Sequence, residues 1–553
     1  MAKTGAAHKI GISYERSFKD VSKRKTRERE GIFYTPPNLA QFTVTRALSY
    51  WQPQTSCTGE SPISVLDPAC GSGSFLIEGA VGLGKIMKPS QFTLCGIDKD
   101  LNGVEQARHS LSKLNKNLRT NIIGGNSLIS KTPETNIDSL SPVDWSQQFP
   151  EAAAQGGFDL IIGNPPYGLS RGDKFHPLEK IIIEERYNWI KRGKLNKYIA
   201  FTALSYEQLK PGGVAALIIP NSWLGIESGE KLRTLLLETG SLREITVLPK
   251  SAFDDPSVET VILIFQKPLP NVNTNQTFKI ERLGDDLMTL PGGVNHLLND
   301  DCLKLPSKII PINLNKTRAH IIETIFKNSE LLGSSTSPFV PRIAIQAYAV
   351  GKGLPPQSES DVKQRIYDTY DPKEPHAVPY LNSKDIGRFS IKWSGLNLKW
   401  GPWLAEPQSL TRFSSPRILI REILDKVDDP IIATFTNKIF LYNKSVIHVS
   451  HKQNQEDELL ALLAILTSTV AALIINTLGR KSQRRLFPKL VLADLNSFPL
   501  PLAFKDEKSQ LALLARKLLA APHSEEALKI RRAINQTTCR LYKLDPEISI
   551  LTA

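Results

Sequence analysis

The chain has 553 residues, 41% hydrophobic and 22% charged, with a formal net charge of +14; this fits a globular protein of about two to four domains and favours an acidic partner, nucleic acid foremost. Cys57, Cys70, Cys95, Cys302 and Cys539 are odd in number and form no CxxC pair, and the histidines form no HExxH, which argues against a disulfide framework and against a metal site. No run reaches the length of a membrane span and the N-terminus lacks the apolar core of a signal peptide, so a cytoplasmic protein with no membrane partner is expected.

Residues 1–30 end in the mainly basic run "KDVSKRKTRERE", read as a solvated helix or arm, or as a contact to a nucleic-acid backbone. From 31 to 267, β-type runs alternate with helix-type segments. "ISVL", "FTLCGID", "FDLIIG", "GVAALIIP", "LREITVL" and "ETVILIF" are the candidate strands. Alternation of this kind predicts a mainly parallel α/β sheet with helices on both faces. The pattern breaks at "KPLPNVNTNQ" (267–276), which reads as a linker to a second region, 268–553, of mixed α+β character. Within that region, 456–478 reads as one long buried helix, followed by helices over 506–521 and 524–543.

Three stretches carry chemistry. "VLDPACGSGSFL" joins a strand to a helix through Gly71 and Gly73, where glycine lets the backbone approach a ligand or simply make a tight turn. No GK[ST] follows, so a phosphate-binding P-loop is set aside. The next strand ends in Asp98, placed to accept hydrogen bonds from ribose hydroxyls. Loop and acid together fit an adenosine-containing cofactor. Asp67, just before the glycines, would repel a pyrophosphate but suits the cationic amino end of a methionine moiety, which favours S-adenosylmethionine over a dinucleotide. The third stretch is "IIGNPPYG": Pro165 and Pro166 stop a buried strand and leave Asn164 and Tyr167 on a stiff loop.

Together, "GIFYTPPNLAQF", "DPACGSGSF", "GIDKD", "NPPY" and "SAFDDPSVETVILIF" resemble amino-group DNA methyltransferases, specifically the N6-adenine enzymes of restriction-modification type with a C-terminal target-recognition region. The resemblance covers roughly 31–267 motif by motif and implies a Rossmann-like, seven-stranded methyltransferase sheet followed by a DNA-recognition domain. It implies that Thr35 helps hold the methionine end of the cofactor, that Asp98 takes the ribose, and that Phe201 packs on the cofactor adenine. Asn164 and the Pro165 carbonyl would grip the N6 hydrogens of an extruded adenine, which Tyr167 and Phe253 would sandwich; the alternative for Phe253 is a core side chain. The family's aspartate that accepts from the cofactor's adenine amine is replaced here by Asn126, whose amide oxygen still accepts.

In the C-terminal region, "VPYLNSKDIGRFSIKW" and "LADLNSFPLPLAF" resemble recognition-domain segments more weakly. "LGRKSQRRLFPK" concentrates Arg480, Lys481, Arg484, Arg485 and Lys489, expected to contact phosphates or else to form a solvated turn. The resemblance implies a prokaryotic, nucleoid-associated monomer acting on double-stranded DNA, with a separate restriction endonuclease or none. Two rival functions are a protein-glutamine or RNA methyltransferase using the same loop, and a modification or specificity subunit active only in a complex.

Overall fold

The computed structural model describes residues 35–51, 62–135, 137–168, 177–193, 195–253, 258–270, 276–425, 429–482 and 488–545. The basic arm expected over 1–30, together with Arg484 and Arg485, lies outside the described residues. The chain forms two compact units, Met1–Ile310 and Pro311–Ala553.

The first unit is built on strands β1 (Ile63–Asp67), β2 (Phe92–Asp98), β3 (Arg119–Gly124), β4 (Phe158–Gly163), β5 (Leu209–Pro220), β6 (Leu242–Val247), β7 (Thr260–Gln266), β8 (Thr277–Leu283) and β9 (Thr289–Leu298). They form one sheet in the order β9-β8-β6-β7-β5-β4-β1-β2-β3. Pairing is parallel except that β7 runs antiparallel to β5 and β6, and β9 antiparallel to β8. The central strand β4 is buried along its whole length, as its unbroken apolar run "FDLIIG" demands of a strand covered on both faces. Helices α1 (Pro37–Tyr50), α2 (Ser74–Leu83), α3 (Leu101–Leu114), α4 (Pro177–Arg186) and α5 (Lys197–Gln208) belong to the same unit. Val65, Leu94, Leu160, Ile162 and Ile218 of the sheet form one core with Leu39, Val44, Phe75 and Leu76 of α1 and α2.

The seven-stranded α/β sheet is thus present, extended by an edge hairpin. The expected boundary at 267 falls inside this unit, because β8 pairs with β6 and carries the sheet past it; the units part after Ile310. A buried ion cluster fastens the added edge to α1. The Tyr50 hydroxyl donates to Glu244 Oε2 at 2.8 Å, Lys279 Nζ lies 2.7 Å from Glu281 Oε2, and Arg46 pairs with Glu281. Glu244 and Glu281 are buried, so their charges need these partners.

The second unit holds two four-stranded sheets, one of Phe339–Ile343, Val446–His451, Arg417–Arg421 and Ala433–Thr436, the other of Asp368–Thr369, Asn397–Lys399, Ala377–Leu381 and Leu441–Tyr442. Besides helices Lys316–Lys327 and Glu359–Gln364 near its start, it has α6 (Glu456–Leu466), α7 (Thr469–Leu478), α8 (Phe504–Ala520) and α9 (Glu525–Leu541), with a short helix Leu492–Asn496 between α7 and α8. The single helix expected over 456–478 is two, bent by 64°. Two adjacent side chains cause the break: Thr467 Oγ1 bonds back to Leu463 O at 2.9 Å, and Ser468 Oγ caps α7 by accepting from Ala471 N–H at 3.3 Å. Among the described residues no single helix is long and apolar enough to cross a membrane.

Candidate active site

Strand register gathers the chemistry. β1 lies between β2 and β4, with Asp67 beside Gly96 and Leu66 beside Ile161. The carboxyl ends of the three strands therefore lie together, and Asp67, Asp98 and Asn164 share one edge. The winding reverses direction between β1 and β4, the place where open α/β sheets bind ligands. Gly163, the last residue of β4, packs directly on Asp67: a Cβ there would stand 2.7 Å from Asp67 Oδ1. Only glycine lets the strand carrying Asn164 approach the strand carrying Asp67 so closely. The next residue, Asn164, donates from Nδ2 to the Oγ1 of buried Thr35 at 3.0 Å. Thr35 immediately precedes Pro36 and Pro37, which start α1. The threonine expected to serve the cofactor thus holds the Asn164 amide by its nitrogen.

The glycine loop is held from the same side. Gly71 N–H donates to Asp98 Oδ2 at 2.7 Å, Asp100 N–H to Asp98 Oδ1 at 2.8 Å, and Gly73 N–H to Cys70 O at 2.8 Å. Gly71 and Gly73 have φ of 49° and 90°, a region that favours glycine. A Cβ on Gly73 would lie 3.1 Å from the Ala107 Cβ of α3, whereas one on Gly71 would meet nothing within 4 Å. Gly73 is therefore required by packing, and Gly71 faces open space. Asp98 secures the glycine loop through Oδ2 and its own turn through Oδ1, and each oxygen keeps a further lone pair for a ribose hydroxyl. Burial raises its pKa against the pull of the backbone amides.

Asp67 is fully buried, and desolvation pushes its pKa up to about 8, the Ala69 N–H at 3.1 Å opposing and nearby Asp98 adding to the rise. The native state thus holds a proton that an unfolded aspartate releases near pH 4. The stability from this group is fully present below about pH 4 and is lost as pH rises through about 8. Urea denaturation of the free protein should show a midpoint that falls between pH 5 and pH 9, and Asp67→Asn should flatten that fall.

The remaining expected residues divide. Phe201 is buried on α5, which packs against the strand Asn126–Ser130. Asn126 is also buried, but its amide is engaged: Oδ1 accepts from Leu128 N–H at 3.2 Å and Nδ2 donates to Glu179 Oε1 at 2.9 Å. Pro165 is buried and Pro166 half-buried, both rigidly continuing from β4. The Tyr167 ring, expected to project, is 2% exposed; burial raises its hydroxyl pKa well above the usual tyrosine value, with the Asn164 side chain acting in the opposite sense. Phe253 sits in the core cluster with Leu248, Ala252, Ile218 and Leu283, so its position matches the alternative of a core side chain. Arg480 is turned to buried Asp494 at 3.1 Å, and Lys489 to Glu422 at 3.1 Å, so two cations expected on phosphates are neutralised within the unit. Lys481 is half-buried beside Lys489, their backbones forming a bridge. Gly163 and Glu179 went unnoticed in the sequence. The glycine before "NPPY" was a usable signal for close strand approach, whereas nothing in "PLEKIIIEER" marks Glu179 out.

Comparisons with known proteins match two parts of the chain. Residues 93–253 match the Eco57I restriction-modification methylase family and residues 378–500 the TaqI-like C-terminal specificity domain. The chain is similar to the Type II methyltransferase M.BanIII of Aneurinibacillus aneurinilyticus, 30% identical over 253 residues that cover 45% of this chain and 40% of that protein. It is 26% identical over 332 residues to the Type II restriction enzyme and methyltransferase RM.Eco57I of Escherichia coli, covering 50% of this chain and 32% of the relative. It is also 26% identical over 274 residues to the Type I restriction enzyme EcoEI methylase subunit of Escherichia coli, covering 48% and 47%. In each case the match spans less than half of the relative's length. Among solved structures, the Type IIL restriction-modification enzyme MmeI in complex with DNA shares the fold with a TM-score of 0.60 at 15% identity, over 93% of this chain and 74% of that one. The chain thus carries an Eco57I-type restriction-modification methylase domain followed by a TaqI-like C-terminal specificity domain.

Proposed function

We propose that the chain transfers a methyl group from S-adenosylmethionine to the N6 amine of an adenine swung out of duplex DNA at a specific site. The observation that carries this reading is the junction of β4 and β1, where Asn164 follows directly on the glycine packed against Asp67. The residues fit the methyl donor: open space beside Gly71, a buried acid at Asp67 that gives up its proton as an ammonium group binds beside it, and Asp98 for a ribose. When bound, the donor supplies an electrophilic methyl group on a sulfonium sulfur.

The chain's part is to prepare the amine. The lone pair of adenine N6 is delocalised into the ring, and acceptors on both N6 hydrogens favour a pyramidal, more nucleophilic nitrogen. The Asn164 amide oxygen and the Pro165 carbonyl are those acceptors. Their value lies in being fixed before the base arrives, which Thr35 does for the amide and the paired prolines for the carbonyl. Tyr167 and Phe253 are the proposed stacking faces. Both are buried as the fold stands, so base entry requires the segments around them to rearrange. Flipping costs a few kcal/mol of unstacking, roughly, which stacking on these rings would partly offset. Duplex DNA binding is assigned to the second unit and to Lys481, Arg484 and Arg485; a separate endonuclease, or none, accompanies a cytoplasmic enzyme.

A second reading, a modification subunit active only in a complex, is favoured by the similarity to the EcoEI methylase subunit. Incubating the purified chain with a tritiated methyl donor and duplex DNA, then resolving the nucleosides, tests both. Label in N6-methyladenine supports the enzyme acting alone. No label until a partner is added supports the subunit, and label in cytosine, RNA or protein removes the proposal.

A further inference from the structure

Helix α4 carries a carboxylate with no role in the preceding account. Glu179 is 7% exposed, and its Oε1 accepts two hydrogen bonds, from Asn126 Nδ2 at 2.9 Å and from Lys99 Nζ at 3.0 Å. Among the described residues both donors go to Oε1 and none to Oε2. The Asn126 amide is locked in this sense, because its oxygen accepts from Leu128 N–H on the other side.

This cluster borders the proposed cofactor site. Lys99 follows Asp98 in the chain, Gly125 N–H donates to the Asp98 carbonyl at 2.9 Å, and Ser127 Oγ donates to the Pro68 carbonyl at 2.6 Å. A nucleoside anchored by its ribose at Asp98 places its base among groups that border Asp98, and the polar side chains there include Lys99, Asn126 and Glu179. An ionised carboxylate only accepts. A nearly buried one with an oxygen to spare selects a base edge that donates, an exocyclic amine, over one that presents a carbonyl.

We propose that Glu179, held by Asn126 and Lys99, accepts from the exocyclic amine of the cofactor's adenine and makes the site selective for adenosine over inosine. The inference rests on the S-adenosylmethionine reading above. It assigns to α4 the negative charge that position 126 lacks: the acid is supplied from 53 residues further along the chain and reaches the same place in space.

Calorimetric titration of the full chain with S-adenosylhomocysteine and with S-inosylhomocysteine tests it without turnover. The wild-type chain is expected to prefer the adenosine compound by roughly 10- to 100-fold, the range of a hydrogen bond to a charged group. Glu179→Gln, whose amide donates to a 6-carbonyl as well as it accepts, is expected to narrow that preference to below about threefold, largely by improving inosine binding. Asn126→Asp is expected to weaken adenosine binding about tenfold, since it removes a donor to Glu179 and sets two carboxylates side by side. If residue 126 were itself the acceptor, the same change would tighten binding, so its sign decides the matter even if Glu179→Gln fails to fold. An unchanged preference in Glu179→Gln, or tighter adenosine binding by Asn126→Asp, overturns the inference alone. Failure of the wild-type chain to bind either compound overturns the cofactor reading and the inference with it.

Discussion

Asn164→Ala is expected to lower the rate of methyl transfer to duplex DNA by about 100- to 1,000-fold while leaving methyl-donor affinity within about threefold, because the group removed acts on the amine and not on the donor. The asparagine stands at the end of a fully buried strand and is bonded to Thr35 at 3.0 Å, so its oxygen is oriented before any substrate arrives. Alanine keeps the backbone and the paired prolines but deletes one of the two proposed acceptors. Single-turnover rates and calorimetric donor binding separate the two effects. Equal losses in both would show that Asn164 holds the donor site together. Thr35→Val is expected to act in the same direction but less strongly, since the amide remains and only its orientation is freed.

Arg480→Met is expected to destabilise the protein by about 3 kcal/mol and to leave DNA affinity at the temperatures where it is folded almost unchanged. The guanidinium side chain is 9% exposed and lies 3.1 Å from Asp494, itself 2% exposed. Asp494 also accepts from the backbone N–H groups of Arg480 and Val491, at 3.1 and 2.9 Å. Those amides soften the loss but do not neutralise a buried carboxylate left without its cation. Urea denaturation measures the stability, and the dependence of DNA affinity on salt measures the phosphate contacts. Loss of Arg480 should leave the slope of log K against log salt unchanged, whereas replacing Arg485 should reduce it by about 0.9. A reduced slope for Arg480→Met would return that residue to the DNA interface.

What could be read from the sequence, and what could not, follows the range of the interactions involved. Strands such as "FDLIIG" and "ETVILIF" are buried on both faces, and burial writes itself into an unbroken apolar run. β3 escapes that rule because it lies at the sheet edge, with polar Arg119, Thr120 and Asn121. The β8–β9 hairpin escapes because it too lies at an edge and is tied to α1 by a long-range ion pair, Arg46 with Glu281, 235 positions apart. The gathering of Asp67, Asp98, Gly71, Gly73 and Asn164 along one sheet edge was legible because each stands at the end of a strand or in its turn, where sequence pattern is local. The orientation of a side chain was not. Arg480 reads as part of a basic cluster until Asp494, 14 residues on, is seen to hold it. Asn126 is joined to Glu179 by a hydrogen bond that no local motif encodes.

The central proposal is that the loop after β4 presents two fixed acceptors to an amine at the edge where Asp67 and Asp98 lie. A crystal structure of the full chain with a non-transferring methyl-donor analogue and a duplex carrying its recognition site tests that claim most directly. The account predicts one adenine outside the helix, its N6 within about 2.7–3.2 Å of both Asn164 Oδ1 and the Pro165 carbonyl, with the analogue's amino group at Asp67. A duplex in which every adenine stays stacked, or an extruded base whose amine reaches neither acceptor, would contradict it.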